Sequence, residues 1–242
     1  MSKIITFGGQ KGGIGKTTLT ALCANALASP PFSRRVFVAD ADLQQSLSRR
    51  RLADMQEAGE IVAPYPVSFF SLAELAQTLP ALDKERDFVF LDVPGKLDIN
   101  SAAPQQEAAA FLAYTDFIFV PFVPGNYALE ATLHYLKTAL KIKARRADSP
   151  RPLEVIGLIN LYEGRTLDDR YLLEELEELK TLVNVRFMKT PLNRYALYRN
   201  TDTLTSFYEP GSADKARANF ATWLNEFLQI LEPAGAAKIK GK

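Results

Sequence analysis

The sequence predicts a single α/β domain built on a mostly parallel β-sheet flanked by helices on both faces. Three observations carry this. Apolar, β-branched runs alternate along the chain with segments of helical periodicity, the pattern of parallel strands joined by crossover helices. Runs such as Phe88–Leu91 and Phe117–Phe122 are apolar throughout, as strands covered on both faces are. The 242 residues, 47% hydrophobic and 24% charged, are enough for one large core.

The elements follow in order. Ile4–Phe7 reads as a first strand, Gly8–Gly15 as a glycine-rich loop, and Leu19–Ala28 as a helix stopped by Ser29-Pro30-Pro31. Arg34–Ala39 is a second strand ending at Asp40-Ala41-Asp42, with a helix from Gln45 to Ala58 behind it. Val62–Phe70 is a weak strand, and Ser71 caps a short helix, Leu72–Leu79. Asp87–Asp92 is a buried strand before Pro94-Gly95, and Phe117–Phe122 is another. Leu129, Leu133, Leu136 and Leu140 recur at helical spacing. Leu153–Leu161 is a further strand, and Asp168–Lys180 a helix with an acidic face of Glu174, Glu175, Glu177 and Glu178. Ser212 is expected to cap the last helix, whose apolar face runs through Phe220, Trp223, Leu224 and Phe227. Residues 1–232 form the domain, and the small, basic stretch 233–242 is expected to be a disordered tail.

Composition narrows the function. The net charge is +1, so any contact with nucleic acid must come from local basic patches. One cysteine, Cys23, excludes an internal disulfide and a cysteine-rich metal centre, and fits a reducing, cytoplasmic setting. The most apolar stretch, near Phe117–Val123, is interrupted by Pro121 and falls far short of the roughly 20 residues that span a bilayer. The glycine-rich loop begins so early that a signal peptide, or a DNA-reading domain ahead of Lys3, is not expected.

The chemistry is concentrated in Gly8-Gly9-Gln10-Lys11-Gly12-Gly13-Ile14-Gly15-Lys16-Thr17-Thr18. Between a strand and a helix, such a loop turns its backbone N–H groups inward on a phosphate, and the helix dipole adds to the same spot. Gly12, Gly13, Ile14, Gly15, Lys16, Thr17 and Thr18 are the expected cradle, Lys16 the phosphate cation, and the Thr17 hydroxyl a Mg²⁺ ligand. Asp92, at the end of a later strand, is placed to hold Mg²⁺ through water. Asp40 and Asp42 end a strand on the same edge, where ligands of such sheets sit.

The ordinary phosphate-loop pattern needs glycine where this chain has Gln10; it carries Lys11 instead. In this deviant Walker A signature the chain resembles the ParA/MinD ATPases, with motifs concentrated at Lys11–Thr18, Asp40–Gln44 and Asp92–Gly95. The resemblance implies ATP and Mg²⁺ as cofactors, and a homodimer when ATP is bound. It implies that Lys11 reaches the partner subunit's nucleotide, with Gly12 at the contact. It gives Asp42 the attacking water and Asp40 a place around the Mg²⁺. Leu43 stands where the family usually has proline. Gly157-Leu158-Ile159-Asn160 and Thr190-Pro191-Leu192-Asn193 resemble the segments beside the base, so Asn160, Pro191 and Asn193 are expected there.

What the switch acts on is open to three readings. A ParA-type DNA partition ATPase binds DNA non-specifically through lysines and arginines, becomes nucleoid-associated, and works with a ParB-like centromere-binding or adaptor protein. Arg194, Arg199, Lys215 and Arg217 are the candidate DNA contacts, with Lys137, Lys141 and Arg145, and nearby Lys143 and Arg146, as a second set. A MinD-like membrane-positioning ATPase needs a C-terminal amphipathic helix, whereas Ala234–Lys242 has only Ile239 as a large apolar residue. A relative of the nitrogenase iron protein needs cluster-holding cysteines. The partition reading, with no membrane contact, is the expectation.

Overall fold

A computed structural model describes residues 1–95 and 110–233, with the backbone alone for residues 126–128. The tail expected over 233–242 therefore lies, beyond Pro233, outside the described residues. The elements are β1 (Lys3–Phe7), α1 (Lys16–Ala28), β2 (Val36–Asp40), α2 (Ser46–Ala58), β3 (Val67–Phe69), α3 (Leu72–Glu85) and β4 (Phe88–Asp92). They continue with β5 (Phe117–Phe122), α4 (Asn126–Arg145), β6 (Glu154–Ile159), α5 (Leu167–Leu182), β7 (Arg186–Phe187), α6 (Ala196–Arg199) and α7 (Lys215–Leu231).

The strands form one seven-stranded sheet in the order β3-β2-β4-β1-β5-β6-β7, with every pairing parallel. Alternate strand residues serve opposite cores. Ile5, Phe7, Phe88 and Phe90 pack with Leu22, Trp223 and Phe227 on one face. Ile4, Val89, Leu91 and Ile118 pack with Leu75, Leu136 and Leu172 on the other. Both faces are buried, which explains the continuous apolar runs. The chain leaves β1 toward β2 on one side and returns from β4 to β5 on the other, so the β1–α1 loop lies at the reversal, where sheets of this kind hold ligands.

Three expectations are corrected. The strand sought over Val62–Phe70 is paired only at Val67–Phe69; Pro64 and Pro66 supply no N–H to a ladder. The helix expected to stop at Leu79 runs through Pro80 to Glu85, because Leu75, Leu79 and Leu82 are all buried on the sheet and that burial outweighs the missing hydrogen bond. The last helix is capped by Asp214, whose side chain accepts from Arg217 N, and not by Ser212, which accepts from Asp214 N one step outside.

Candidate phosphate-binding site

The glycine-rich loop follows β1 directly. Gly8 N donates to Phe119 O at 2.9 Å, closing the strand. Gly13 and Gly15 have φ of 79° and 89°, in the left-handed region open to glycine. A side chain on Gly15 would also collide with Asn160, whose Nδ2 lies 2.5 Å from the place of its Cβ. Gly15 is the N-cap of α1 with no side-chain cap, so the first-turn N–H groups of α1 are left for a ligand.

Lys16 lies over Gly95: a Cβ there would stand 2.9 Å from Lys16 Nζ and 2.8 Å from Gly9 O. Only glycine lets the end of β4 approach the loop this closely. Burial lowers the Lys16 pKa below the usual lysine value, while Asp92 and Asp42 pull it back. The charge is thus concentrated in a poorly solvated place, where it acts more strongly on an anion.

Two acids, Asp92 and Asp42, act on it, and a third, Asp40, stands beside Asp92. Asp40 and Asp92 are register partners on β2 and β4, and both are buried. Thr17 Oγ1 donates to Asp92 Oδ2 at 2.9 Å. Burial pushes the Asp92 pKa up to about 7, with the Thr17 hydrogen bond opposing and the Asp40 charge adding. Asp40 accepts from Asp42 N at 3.2 Å and from Ser48 N at 2.9 Å, so it organises the turn that carries Asp42. Asp42 remains partly open and accepts from Gln44 N at 2.9 Å.

Among the described residues, no group of three or more His, Cys, Asp or Glu could hold a metal alone. The donors fit Mg²⁺ in another way. A hydroxyl and a carboxylate 2.9 Å apart beside a phosphate cradle suit a cation that keeps waters and takes phosphate oxygens as ligands. Thr17 and Asp92 would hold it.

Beside the loop lies a cavity of about 210 Å³, lined by Leu19, Leu22, Asn160, Leu161, Leu192 and Tyr195, among others. Asn160 is buried, and its Nδ2 donates to Ile14 O at 2.8 Å. The Nδ2 donor is thus used to brace the loop. Pro191 and Asn193 were expected beside the base, but it is Leu192 between them that lines the cavity, while their backbones are held by Asn219. Asn219 Nδ2 donates to Pro191 O at 3.0 Å, and Asn193 N donates to Asn219 Oδ1 at 2.9 Å. Sequence reading missed Tyr195 and Tyr198, which also line the cavity; no local pattern marks them.

The basic residues divide. Arg194 and Arg199 line the cavity, and Arg194 is also paired with Glu163 at 2.9 Å. Arg217 pairs with Glu209 at 3.2 Å and stacks on Phe207. Lys215 is exposed. On α4, Lys137, Lys141 and Arg145 are exposed, while Lys143 pairs with Glu154 at 2.9 Å and Arg146 donates to the carbonyls of Leu112, Thr115 and Arg151. Lys11 and Gly12 are exposed and border a second cavity with Glu163, Thr166, Asp168 and Asp169.

A parallel sheet, a left-handed glycine turn opening a helix, and a half-buried lysine beside paired acids define a phosphate-loop nucleotide-binding protein. The CobQ/CobB/MinD/ParA nucleotide binding domain matches residues 5–200, and the chain belongs to that family, the ParA/MinD-type ATPases. A search of curated proteins finds no match. Among solved structures, the chain is similar to an ATP complex of Cyanothece McdA, at 15% identity and TM-score 0.68, over 93% of this chain and 96% of that one. It is similar to the MinD cell division protein of Aquifex aeolicus, at 17% identity and TM-score 0.59, over 92% and 96%. It is also similar to pNOB8 ParA bound to nonspecific DNA, at 15% identity and TM-score 0.57, over 97% and 100%. No described helix is long and apolar enough to cross a membrane.

Proposed function

We propose that this protein is an ATP-hydrolysing switch of the ParA type. ATP closes it into a homodimer that holds non-specific DNA, and hydrolysis, driven by a ParB-like adaptor, releases it. The dimer thereby positions a cargo on the nucleoid, in the cytoplasm. The observation that carries the reading is the division between the two loop lysines. Lys16 is turned into its own acids, whereas Lys11 stands on the exposed lip of the same loop. A second cation brought from another subunit would offset charge developing on the transferred phosphoryl group.

Within one protomer the roles follow from position. The loop N–H groups and Lys16 bind the phosphates, Thr17 and Asp92 hold Mg²⁺, and Asp40 fixes the turn that presents Asp42. Asp42 orients the attacking water. Asn160, in the cavity wall, seats the base beside the Pro191–Asn193 segment. For DNA, the exposed Lys215, together with Lys137, Lys141 and Arg145, is the set least engaged within the chain; Arg194, Arg199 and Arg217 join it only where their present contacts allow.

The test is light scattering with ATP, followed by retention on DNA and on liposomes. Wild type should dimerise and bind DNA only with ATP, with affinity falling steeply as salt rises. Lys11→Ala should bind ATP and stay monomeric. Retention on liposomes alone would replace the DNA reading with a membrane one, and a Lys11→Ala dimer of full strength would remove the intersubunit role.

A further inference from the structure

Two unsatisfied groups meet at the head of the phosphate loop. One is the hydroxyl of Tyr135, a fully buried residue of α4 in the core that also holds Ile118 and Val120 of β5. Among the described residues this hydroxyl has no hydrogen-bond partner. It lies against Gly8: a Cβ there would stand 2.0 Å from Tyr135 Oη and 2.7 Å from Cε1 of the ring. Only glycine leaves room for the phenol at this point. Burial pushes the Tyr135 pKa up, so the group stays an O–H donor. A phenylalanine would fill the same space without the cost of an unpaired buried hydroxyl.

The other group is the Gly8 carbonyl. β1 and β5 run parallel with Phe7 opposite Phe119, and Gly8 N donates to Phe119 O. The next rung of a parallel ladder runs from the N–H at position 121 back to Gly8 O. That residue is Pro121, which has no N–H. No donor to Gly8 O is found among the described residues. β1 therefore ends on an acceptor that β5 cannot serve, and the phenol over the same residue is a donor without an acceptor.

We propose that Tyr135 is a positioning residue for the phosphate loop, its hydroxyl donating to Gly8 O when the loop closes on a triphosphate. The hydroxyl stands where a Gly8 side chain would be, so a rotation of the Gly8–Gly9 peptide brings the two groups together, and glycine at both positions permits it. The bond replaces the rung that Pro121 cannot supply. It fixes from α4 the strand end on which the loop from Gly9 to Lys16 is hung. Tyr135 acts through the loop and touches no phosphate itself. The inference rests on the nucleotide-binding reading above.

The test is calorimetric titration with ATP and Mg²⁺ on wild type, Tyr135→Phe, Pro121→Ala and the double variant, beside melts of each without nucleotide. Tyr135→Phe keeps the ring. It should melt no lower than wild type, yet bind ATP about five- to tenfold more weakly, the worth of one hydrogen bond made only in the bound state. Pro121→Ala returns an N–H facing Gly8 O. In that background Tyr135→Phe should change affinity by less than about twofold, because the hydroxyl has become redundant. A tyrosine that only fills space predicts no such rescue. Wild-type affinity in Tyr135→Phe, or the full loss persisting beside Pro121→Ala, overturns the proposal. So does a lower melting midpoint for Tyr135→Phe, which would mean that the hydroxyl is already bonded, to water, without nucleotide. Should Pro121→Ala fail to fold, the affinity and the melt of Tyr135→Phe decide between them. A wild type that binds no ATP would instead remove the nucleotide reading, and this inference with it.

Discussion

Asp40 and Asp92 stand side by side in register at the carboxyl ends of two parallel strands, yet their partners differ. Asp40 accepts two backbone N–H groups, whereas Asp92 accepts from the Thr17 hydroxyl and has its pKa pushed by burial from 3.8 to about 7. The raised value fixes a sign. Between those two pH values the folded protein keeps a proton that the unfolded chain has released, so this group's contribution to stability falls as pH rises and is level above about 7. Asp92→Asn removes the effect and keeps an acceptor for Thr17. The variant should melt higher than wild type at pH 8 by about 3 °C, equivalent to ~1 kcal/mol, and the gap should close toward pH 4. Nucleotide-free melts across pH check this. The same variant should lose Mg²⁺-dependent ATP binding.

Asn160 joins the strand beside the cavity to the loop through Ile14 O. Asn160→Ala leaves that carbonyl without its donor, which costs about 1–3 kcal/mol where water does not replace it. Nucleotide affinity should fall about tenfold, because the cradle is no longer held in its binding shape. Calorimetric titration checks this. Unchanged affinity would confine Asn160 to local packing.

Asp42 is the least enclosed of the three acids, and among the described residues its carboxylate accepts Gln44 N alone. Asp42→Ala should therefore bind ATP as wild type does and lose turnover by about a hundredfold or more, accumulating the ATP-bound dimer. Light scattering and phosphate release, measured together, check both halves. Turnover at the wild-type level would move the water to another group.

How much of this was legible follows from how local each signal is. The phosphate loop was readable because strand, glycines, lysine and helix are contiguous, and Asp92 was readable because an acid ends an apolar strand. The cap at Asp214 was missed because Ser212 and Asp214 both fit the local pattern, and only the backbone path separates them. Pro80 hid the second half of α3 because burial of Leu82 is a tertiary effect. The cavity beside Tyr195 and Tyr198 could not be assembled from sequence because α1, β6 and α6 meet there only in the fold. Arg194 and Arg199 look like surface cations until that cavity is seen.

Arg51 is the sharpest case of the same limit. In the run Arg49-Arg50-Arg51 nothing local marks one residue as different, yet Arg51 is 7% exposed. It stacks on the Tyr65 ring at 4.4 Å and donates to Tyr65 O. It also donates to Thr203 Oγ1 and to Thr203 O, each at 2.8 Å. Thr203 N in turn donates to Asp54 at 2.7 Å, and Asn25 Nδ2 donates to Asp202 O at 2.8 Å and Thr205 O at 2.9 Å. The segment that follows the cavity residues Tyr198 and Arg199 is thus tied to α1 and α2, the helices that continue from the phosphate loop and from the Asp40–Asp42 turn. Arg51→Ala strands several buried acceptors and should cost about 3 kcal/mol, lowering the melting midpoint by about 10 °C. Arg49→Ala, on the exposed face, should stay within about 0.5 kcal/mol. Because the tie joins the cavity wall to both phosphate-side helices, Arg51→Ala should also weaken ATP binding at temperatures well below its melting point. Titration at 10 °C beside thermal melts of both variants separates this linkage from a loss of stability alone.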